Sequence, residues 1–335
     1  MVPKAPRVRR MVLPLCGIAA IFVARAVVAQ APLDVARDAA APTPKPPPAA
    51  SASTATAVAA APPDSPRAPD HQDDGSEYEP PPVAPTASAA PPPRPIARPE
   101  LPFKDGMIRL PGARFTMGTA DKHSAPNERP PHAITVAPFW MDKTEVTVSA
   151  YRACVTTRAC APLTNKNPTC TFGMNDPQLP VACVNWKDAD AFCRAVGKRL
   201  PREAEWEYAA RGTNGVRYPW GGGPNCTAAV TLMHESTSRS CSGRRPAKVG
   251  AHPAGASMFG VQDMTGNVEE WTADWYVENL AEGAAPRSGA SHVLRGGGWL
   301  STPSMSRTTS RNWGSSVEAG PNIGFRCAKN VSPEP

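Results

Sequence analysis

The chain has 335 residues and 42 prolines, which are concentrated near the N-terminus and exclude one globular fold over the whole length. Its formal net charge is +7, but residues 1–29 supply five cations and no acids, which leaves +2 for the rest. No basic stripe remains to neutralise a phosphate backbone, so we expect no nucleic-acid partner.

Residues 1–29 have the plan of an export signal. Four cations precede an apolar run over 11–24, and small residues at Ala26 and Ala29 offer cleavage positions. Arg25 ends the apolar run, which is short for a membrane span of roughly 20 residues. We expect an exported protein, periplasmic or secreted, with no membrane span after cleavage of the signal. The alternative is an uncleaved segment that anchors the protein to a membrane through its N-terminus.

Residues 30–104 predict a disordered linker rich in Pro and Ala. Large apolar residues are scarce there, so the segment cannot bury enough surface to offset the loss of conformational entropy on folding. Proline runs such as Pro91-Pro92-Pro93 favour an extended backbone. The alternative is that these runs bind a partner.

A folded domain is predicted over 105–331, where short apolar stretches alternate with Gly, Pro and Asn. Residues 115–117 and 134–136 predict strands, because turn residues bound each run. Periodic apolar residues predict a small number of helices, at about 148–155, 186–196 and 203–211. Arg202 precedes the last of these and cannot accept a hydrogen bond, so we expect that helix to lack its N-terminal cap. The predicted fold class is α/β with little regular secondary structure.

Nine cysteines occur in the chain, and all except Cys16 lie between Cys154 and Cys327. Eight cysteines in an exported domain indicate disulfides. Zinc binding is the competing interpretation, but no Cys-x-x-Cys motif or paired histidines accompany them.

A series of motifs runs in order through the folded part. They are Phe115-Thr116-Met117-Gly118, Lys143-Thr144-Glu145-Val146-Thr147, Glu203-Ala204-Glu205-Trp206-Glu207-Tyr208, Gly266-Asn267-Val268-Glu269-Glu270-Trp271, Arg295-Gly296-Gly297-Gly298-Trp299 and Gly324-Phe325-Arg326-Cys327. Through these motifs the chain resembles the formylglycine-generating enzyme, or sulfatase-modifying factor, family. The resemblance covers the whole folded part. It implies the C-type-lectin-like variant of the α/β fold that this family adopts.

The resemblance also locates the family's metal chemistry. Family enzymes oxidise a cysteine of a sulfatase to formylglycine, using oxygen and a copper(I) ion held by two cysteine thiolates. Counting from the Arg-Gly-Gly motif places these ligands at Ser301 and Ser306. A serine hydroxyl is a hard, neutral group near neutral pH, so it cannot replace a thiolate for copper(I). We therefore expect no copper cofactor and no catalytic residue at these positions.

The cysteine pairing follows partly from the resemblance. The family disulfide that spans the domain keeps both of its ends in this chain, at Cys193 and Cys327. The other six cysteines are paired by proximity along the chain: Cys154 with Cys160, Cys170 with Cys183, and Cys226 with Cys241.

A structural calcium ion is implied by the resemblance as well. Its ligands would be the carboxylates of Asp263 and Glu270 and the carbonyl oxygens of Gly266 and Val268. Calcium prefers several hard oxygen ligands, and glycine permits a tight turn that presents carbonyls inward. The alternative is that the two carboxylates only cap and salt-bridge a turn.

Three arginines near the C-terminus, Arg307, Arg311 and Arg326, are expected in the core. Planar guanidinium groups suit buried ion pairs. The expected partners are buried acids such as Glu205, Glu207 or Asp274.

Two functions of different class are compatible with these residues. The first is an exported, non-catalytic binding or scaffold module whose partner is a peptide, a glycan or another component of the cell envelope. The alternative is a non-canonical oxidase of the family, oxygen-dependent and metal-containing, that modifies a protein or small-molecule substrate. The absence of soft ligands favours the binding module.

Overall fold

The computed structural model describes residues 99–235, 238–279 and 286–332. The export segment 1–29 and the linker up to residue 98 lie outside the described residues. None of the helices in the described part of the chain has the length and apolarity needed to cross a membrane.

Short strands and helices alternate along the described chain. The strands are β1 (Phe103–Lys104), β2 (Met107–Leu110), β3 (Ala113–Met117), β4 (His132–Val136), β5 (Phe139–Asp142), β6 (Glu269–Trp275), β7 (Ser291–Arg295), β8 (Arg311–Ser315), β9 (Ile323–Gly324) and β10 (Ala328–Asn330). The α-helices are α1 (Val148–Thr156), α2 (Trp186–Ala195) and α3 (Glu203–Arg211). All three helices and both strands predicted from the sequence are confirmed. Strand β1 falls within the segment that was assigned to the linker.

The strands form two sheets and a separate hairpin. One sheet has the antiparallel order β1-β2-β5-β10, and β3 pairs with β4 alone. The other sheet has the order β8-β7-β6-β9, in which β9 runs parallel to β6. Both sheets contain strands from the C-terminal part of the chain, so the end of the sequence ties the domain together.

Side-chain caps begin helices α1 and α2, whereas α3 begins differently. Thr147 accepts a hydrogen bond from Ala150 at the start of α1, and Asn185 accepts one from Asp188 at the start of α2. The Arg202 side chain makes no cap at α3, as expected. Asp274, from β6, instead accepts a hydrogen bond from the Glu203 amide at 2.5 Å. The missing local cap is therefore replaced by a carboxylate from a distant strand.

Two apolar clusters fill the interior. One lies beside α1 and α2 and includes Tyr151, Phe192 and Phe325. The other lies between the first sheet, the β3–β4 hairpin and α3, and includes Phe139 and Trp206. Helix α3 touches strands of both the hairpin and the C-terminal sheet.

Buried ion pairs join α3 to the C-terminal sheet. Glu203 is paired with Arg311, at 2.6 Å from Nε, and lies 3.3 Å from Arg295. Glu207 is fully buried and accepts hydrogen bonds from Arg295 at 2.5 Å and Arg211 at 2.8 Å. Glu203 and Glu207 are one helical turn apart and therefore face the same strands. This network fixes the position of α3 against β7 and β8.

The expectation that C-terminal arginines pair with buried acids is confirmed, but the partners that were named are wrong. Arg307 binds Glu128, and Arg326 binds Glu270 through two contacts of 2.6 Å. With Arg311 on Glu203, none of the three binds Glu205, Glu207 or Asp274. The sequence shows which residue types must pair, whereas the partner depends on which strands become neighbours.

Four disulfides are present, and they join the pairs expected from the sequence. Cys193 in α2 is bonded to Cys327 beside β10, across a sequence separation of 134 residues. The other three are local: Cys154 with Cys160, Cys170 with Cys183, and Cys226 with Cys241. Closing the long loop constrains the unfolded chain by roughly 4 to 5 kcal/mol in the entropic model.

His292 lies between two tryptophans. Its ring is 3.8 Å from the ring of Trp186 and 3.8 Å from that of Trp275, nearly parallel to the former. The residue is 1% exposed, and burial lowers the pKa of its imidazole to about 4. The folded protein therefore holds this ring neutral in mildly acidic solution.

Glu207→Gln should lower the free energy of unfolding by about 3 kcal/mol, because Arg295 keeps a buried charge without its main partner. Glu205→Gln, two residues away on the same helix, is the matched control. Its partner Arg199 has a side chain 28% exposed, so the loss should be about 1 kcal/mol. Urea denaturation measures both values, and equal losses would contradict the role given to the buried network.

His292→Phe should flatten the pH dependence of stability between pH about 6.5 and about 4. In that window the unfolded imidazole binds a proton and the folded one does not, so wild-type stability falls as the pH falls. The difference between the two proteins should grow by up to roughly 1.4 kcal/mol per pH unit. Parallel stability profiles for wild type and variant would show that burial does not shift this pKa.

Candidate functional site

Ser301 and Ser306, which the resemblance places at the family's copper positions, follow strand β7. Gly296 and Gly297 both adopt positive φ, +89° and +62°, and turn the chain sharply after Arg295. A Cβ atom on Gly297 would lie 2.5 Å from Ser306 Oγ and 3.0 Å from Ser301 Cβ. Both serines therefore pack against the same glycine, and only a residue without a side chain fits between them.

Local backbone groups already occupy both hydroxyls. Ser301 Oγ accepts a hydrogen bond of 2.9 Å from the Gly298 amide, and Ser306 Oγ donates one of 3.1 Å to the Thr302 carbonyl. Ser301 is 5% exposed and Ser306 is fully buried. Within the described residues neither serine is hydrogen-bonded to a histidine, and a nucleophilic serine needs such a base. Their arrangement is that of a well-satisfied structural turn.

The described part of the chain has no pair of free thiols that could act as metal ligands instead of these serines. All eight of its cysteines are bonded in disulfides. A sulfur in a disulfide is not a thiolate, so it cannot supply the soft anionic ligand that copper(I) prefers. The residues present do not fit the family's copper ion.

The segment from Gly296 to Ser306, called the serine turn below, is contacted by the carboxylate of Glu235. Glu235 accepts hydrogen bonds from the amide of Ser304 at 2.6 Å and from its hydroxyl at 2.7 Å. Partial burial opposes ionisation of Glu235, but the hydrogen bonds from Ser304 outweigh it and lower its pKa. Tyr218 donates a hydrogen bond to the Pro303 carbonyl and stacks on Trp220. The turn is thus held rigid from outside as well as within.

The predicted calcium ligands lie in a second loop, which leads into β6. Asp263 and Asn267 adopt positive φ, and Gly266 does so where an added Cβ would lie 2.4 Å from the Val230 carbonyl. Glu270 is fully buried, and its carboxylate receives hydrogen bonds from Arg326 and from Trp206. This carboxylate therefore has protein partners of its own. The alternative given above, a carboxylate that salt-bridges the loop, describes these Glu270 contacts.

Glu145 is a further acid at this loop, which the ligand prediction missed. It is 2% exposed, and its Oε1 accepts a hydrogen bond of 2.9 Å from the Asn267 side chain. Its Oε2 is buried without a hydrogen-bond partner in the described part of the chain. Burial and the nearby charge of Asp263 raise the pKa of Glu145 well above its usual value. The sequence signal was its place in a family motif, but only folding brings it to residues 263–270.

Asp263, Glu270 and Arg326 all act electrostatically on Glu145, so three carboxylates share one compensating guanidinium group. Within the described residues no group of three or more His, Cys, Asp or Glu side chains is arranged to hold a metal ion by itself, so an ion here would need loop carbonyls as ligands as well. An unpaired buried carboxylate oxygen is costly unless an ion or a donor satisfies it. We propose that a calcium ion binds here through Asp263 and the loop carbonyls of Gly266 and Val268, as the resemblance implies, with Glu145 in place of the arginine-paired Glu270, and that it stabilises the loop.

A family model for the sulfatase-modifying factor enzyme 1-like domain matches residues 95–331. The formylglycine-generating enzyme of Streptomyces coelicolor is 31% identical in an alignment that covers 74% of this chain and 96% of that protein. The mouse protein named inactive C-alpha-formylglycine-generating enzyme 2 is 31% identical over 67% of this chain and 86% of its own length.

Two further similarities bear on fold and chemistry. Hercynine oxygenase of Mycolicibacterium smegmatis is 31% identical over 67% of this chain and 61% of that protein. The structure of PvdO from Pseudomonas aeruginosa superimposes with a TM-score of 0.58 at 28% identity, covering 67% of this chain and 94% of that one. The predicted fold class, the C-type-lectin-like α/β variant with little regular secondary structure, is confirmed.

Adding calcium to metal-free protein should raise its thermal unfolding temperature by several degrees, because the ion binds only the folded loop. Glu145→Gln should abolish this rise, since it removes the carboxylate that has an unpaired oxygen. Glu128→Gln is the control: it breaks the pair with Arg307 and lowers stability, but the rise with calcium should remain. A calcium response in Glu145→Gln equal to that of wild type would contradict this ligand assignment.

Proposed function

Because this chain belongs to the sulfatase-modifying factor enzyme 1-like family, we propose that it is a non-catalytic member, a binding or scaffold module. The observation that carries the proposal is the pair Ser301 and Ser306. Both hydroxyls are buried and hydrogen-bonded to backbone where the family needs two thiolates. The scaffold is retained around a turn that lacks the ligands for copper(I).

The relatives support this assignment in part. Two mammalian relatives, from mouse and cattle, are named inactive enzymes, and they are 31% and 32% identical to this chain. The family scaffold therefore also occurs in proteins named as inactive. Loss of catalysis leaves the packing around α3 and β7 intact, because that packing depends on ion pairs and not on the metal.

An oxidising compartment fits the cysteine usage. Four disulfides in one domain are typical of exported proteins, because cytosolic thiols are kept reduced. We propose that the protein is exported, to the periplasm or beyond the cell, where its partner is a peptide, a glycan or another component of the cell envelope.

The second candidate is a non-canonical oxidase of the same family. Hercynine oxygenases at 31% and 32% identity show that family members also carry this other name. Such an enzyme would require a metal centre other than a cysteine pair. Within the described residues no cluster of three or more His, Cys, Asp or Glu side chains has the arrangement of a metal site.

Restoring the two thiols tests the proposal. Wild-type protein should bind copper(I) no better than background, whereas Ser301→Cys/Ser306→Cys should bind about one equivalent, since two soft ligands then face each other across Gly297. A competition assay with a chromogenic copper(I) chelator measures both. Ser304→Cys/Ser310→Cys, with two thiols in the same segment, is the matched control and should not gain this affinity.

Metal analysis and oxygen uptake separate the two candidates. Stoichiometric copper or iron in purified wild-type protein, or oxygen consumption with a thiol substrate, would overturn the non-catalytic assignment. Calcium as the sole bound metal would support it.

A further inference from the structure

A groove of about 580 Å³ lies on the outer face of the sheet β1-β2-β5-β10. The opposite face of this sheet packs on the core through Leu110, Phe139 and Met141. The groove is lined by side chains of four strands and by the chain that follows α2. It contains neither of the serines described above and none of the calcium-loop residues.

A row of three side chains crosses the floor of the groove. In the strand register, Trp140 of β5 lies directly opposite Arg109 of β2 on one side and Lys329 of β10 on the other. Residues directly opposite each other in antiparallel strands point to the same face, and neighbouring strands are about 4.8 Å apart. The indole is therefore flanked by a cation on each side. Lys104 of β1, which is opposite Met107 and therefore one step along the strands from this row, adds a third positive charge to the groove lining.

Within the part of the chain that the structure describes, these cations have no charged protein partner. No ion pair or side-chain hydrogen bond of Arg109, Lys329 or Lys104 occurs within the described ranges, although Arg109 is half-buried. Lys198, which also lines the groove, is different because Asp142 neutralises it at 2.6 Å. Arg199, beside the groove, is likewise paired with Glu205. The one other acid that lines the groove is the exposed Asp105.

The groove therefore combines positive charge with apolar surface. Apart from Asp105, its charged side chains are donors, since lysine and arginine accept no hydrogen bonds, and the indole N–H is a donor too. Trp140, Pro102 and Val196 supply apolar surface, and Val196 is 44% exposed. A complementary ligand carries anionic acceptor groups and a flat apolar face, spaced by about the distance between strands.

We propose that this groove binds an acidic polysaccharide. One sugar ring packs on Trp140, and carboxylates of the polysaccharide bind Arg109 and Lys329. A pyranose ring presents a face of C–H groups the size of an indole, and a uronic acid carries a carboxylate on the same ring. An acidic peptide offers the charge without the ring. This proposal rests on the binding role proposed above and names the chemical class of its partner.

Three ligands distinguish the contribution of the sugar ring to binding from that of the negative charge. They are a short oligogalacturonate, its methyl ester, which keeps the rings but loses the charge, and an oligoglutamate, which keeps the charge but lacks the rings. The full chain is titrated with each by calorimetry in buffer without calcium, because oligogalacturonate itself binds calcium. Oligogalacturonate should bind at least about tenfold more tightly than either of the others, and its affinity should fall with added salt.

Variants locate the site. Arg109→Gln/Lys329→Gln should weaken oligogalacturonate binding about tenfold or more, and Trp140→Ala should do so while Trp140→Phe retains more affinity. Lys166→Gln, an exposed cation outside the groove, is the control and should bind like wild type. Circular dichroism checks that each variant is folded. If Trp140→Ala unfolds, the outward-facing double variant decides.

Specific results would overturn the proposal. They are no binding of oligogalacturonate, binding of oligoglutamate as tight as that of oligogalacturonate, or groove variants that bind like Lys166→Gln. These outcomes are independent of the copper experiment, since the groove excludes Ser301 and Ser306. A protein that binds no glycan can still prove non-catalytic, and a catalytic protein can still bind one here.

Discussion

The domain depends on neutralising carboxylates that α3 carries into the interior. Glu203 and Glu207 are buried on one side of the helix, and each must be met by a guanidinium group from the C-terminal sheet. An unpaired buried charge would cost several kcal/mol, so the helix and the strands can adopt only an arrangement that brings these partners together. Because the helices and strands are short, the ion pairs fix how α3 lies against β7 and β8.

The serine turn inherits its position from this network. Arg295, which contacts both Glu203 and Glu207, is the last residue of β7 and immediately precedes Gly296. The chain turns at the two glycines and brings Ser301 and Ser306 against Gly297. The scaffold thus places two backbone-bonded hydroxyls at the positions where the resemblance implies the family's metal ligands.

At the loop before β6, the negative charges outnumber the positive ones. Arg326 contacts Glu270, but Glu145 and Asp263 lie nearby and bring more negative charge than one arginine compensates. The same burial that makes the α3 pairs stabilising makes this site costly unless a cation is added. The outer groove has the opposite imbalance, because its cations outnumber its one lining acid, Asp105, among the described residues. Around α3 the buried charges are paired and contribute to packing. In the loop before β6 and in the outer groove, charges of one sign predominate, which makes these two places candidates for binding.

The sequence by itself determined the helices and the ligand chemistry of the two serines. Helices at 148–155, 186–196 and 203–211 follow from apolar periodicity and cap residues, which act between neighbours in the chain. Serines at 301 and 306 exclude thiolate ligation whatever the fold, because ligand softness belongs to the atom. The cysteine pairing also followed from order and number, helped by the family resemblance.

Only the tertiary structure decided which distant residues meet. Asp274 caps α3 in place of Arg202, and Arg311 pairs with Glu203, not with the acids that were named. Glu145 reaches the loop before β6 across more than a hundred residues, and Arg109, Trp140 and Lys329 form one row from three strands. These contacts depend on strand order and register, and neither is encoded in spacing along the chain.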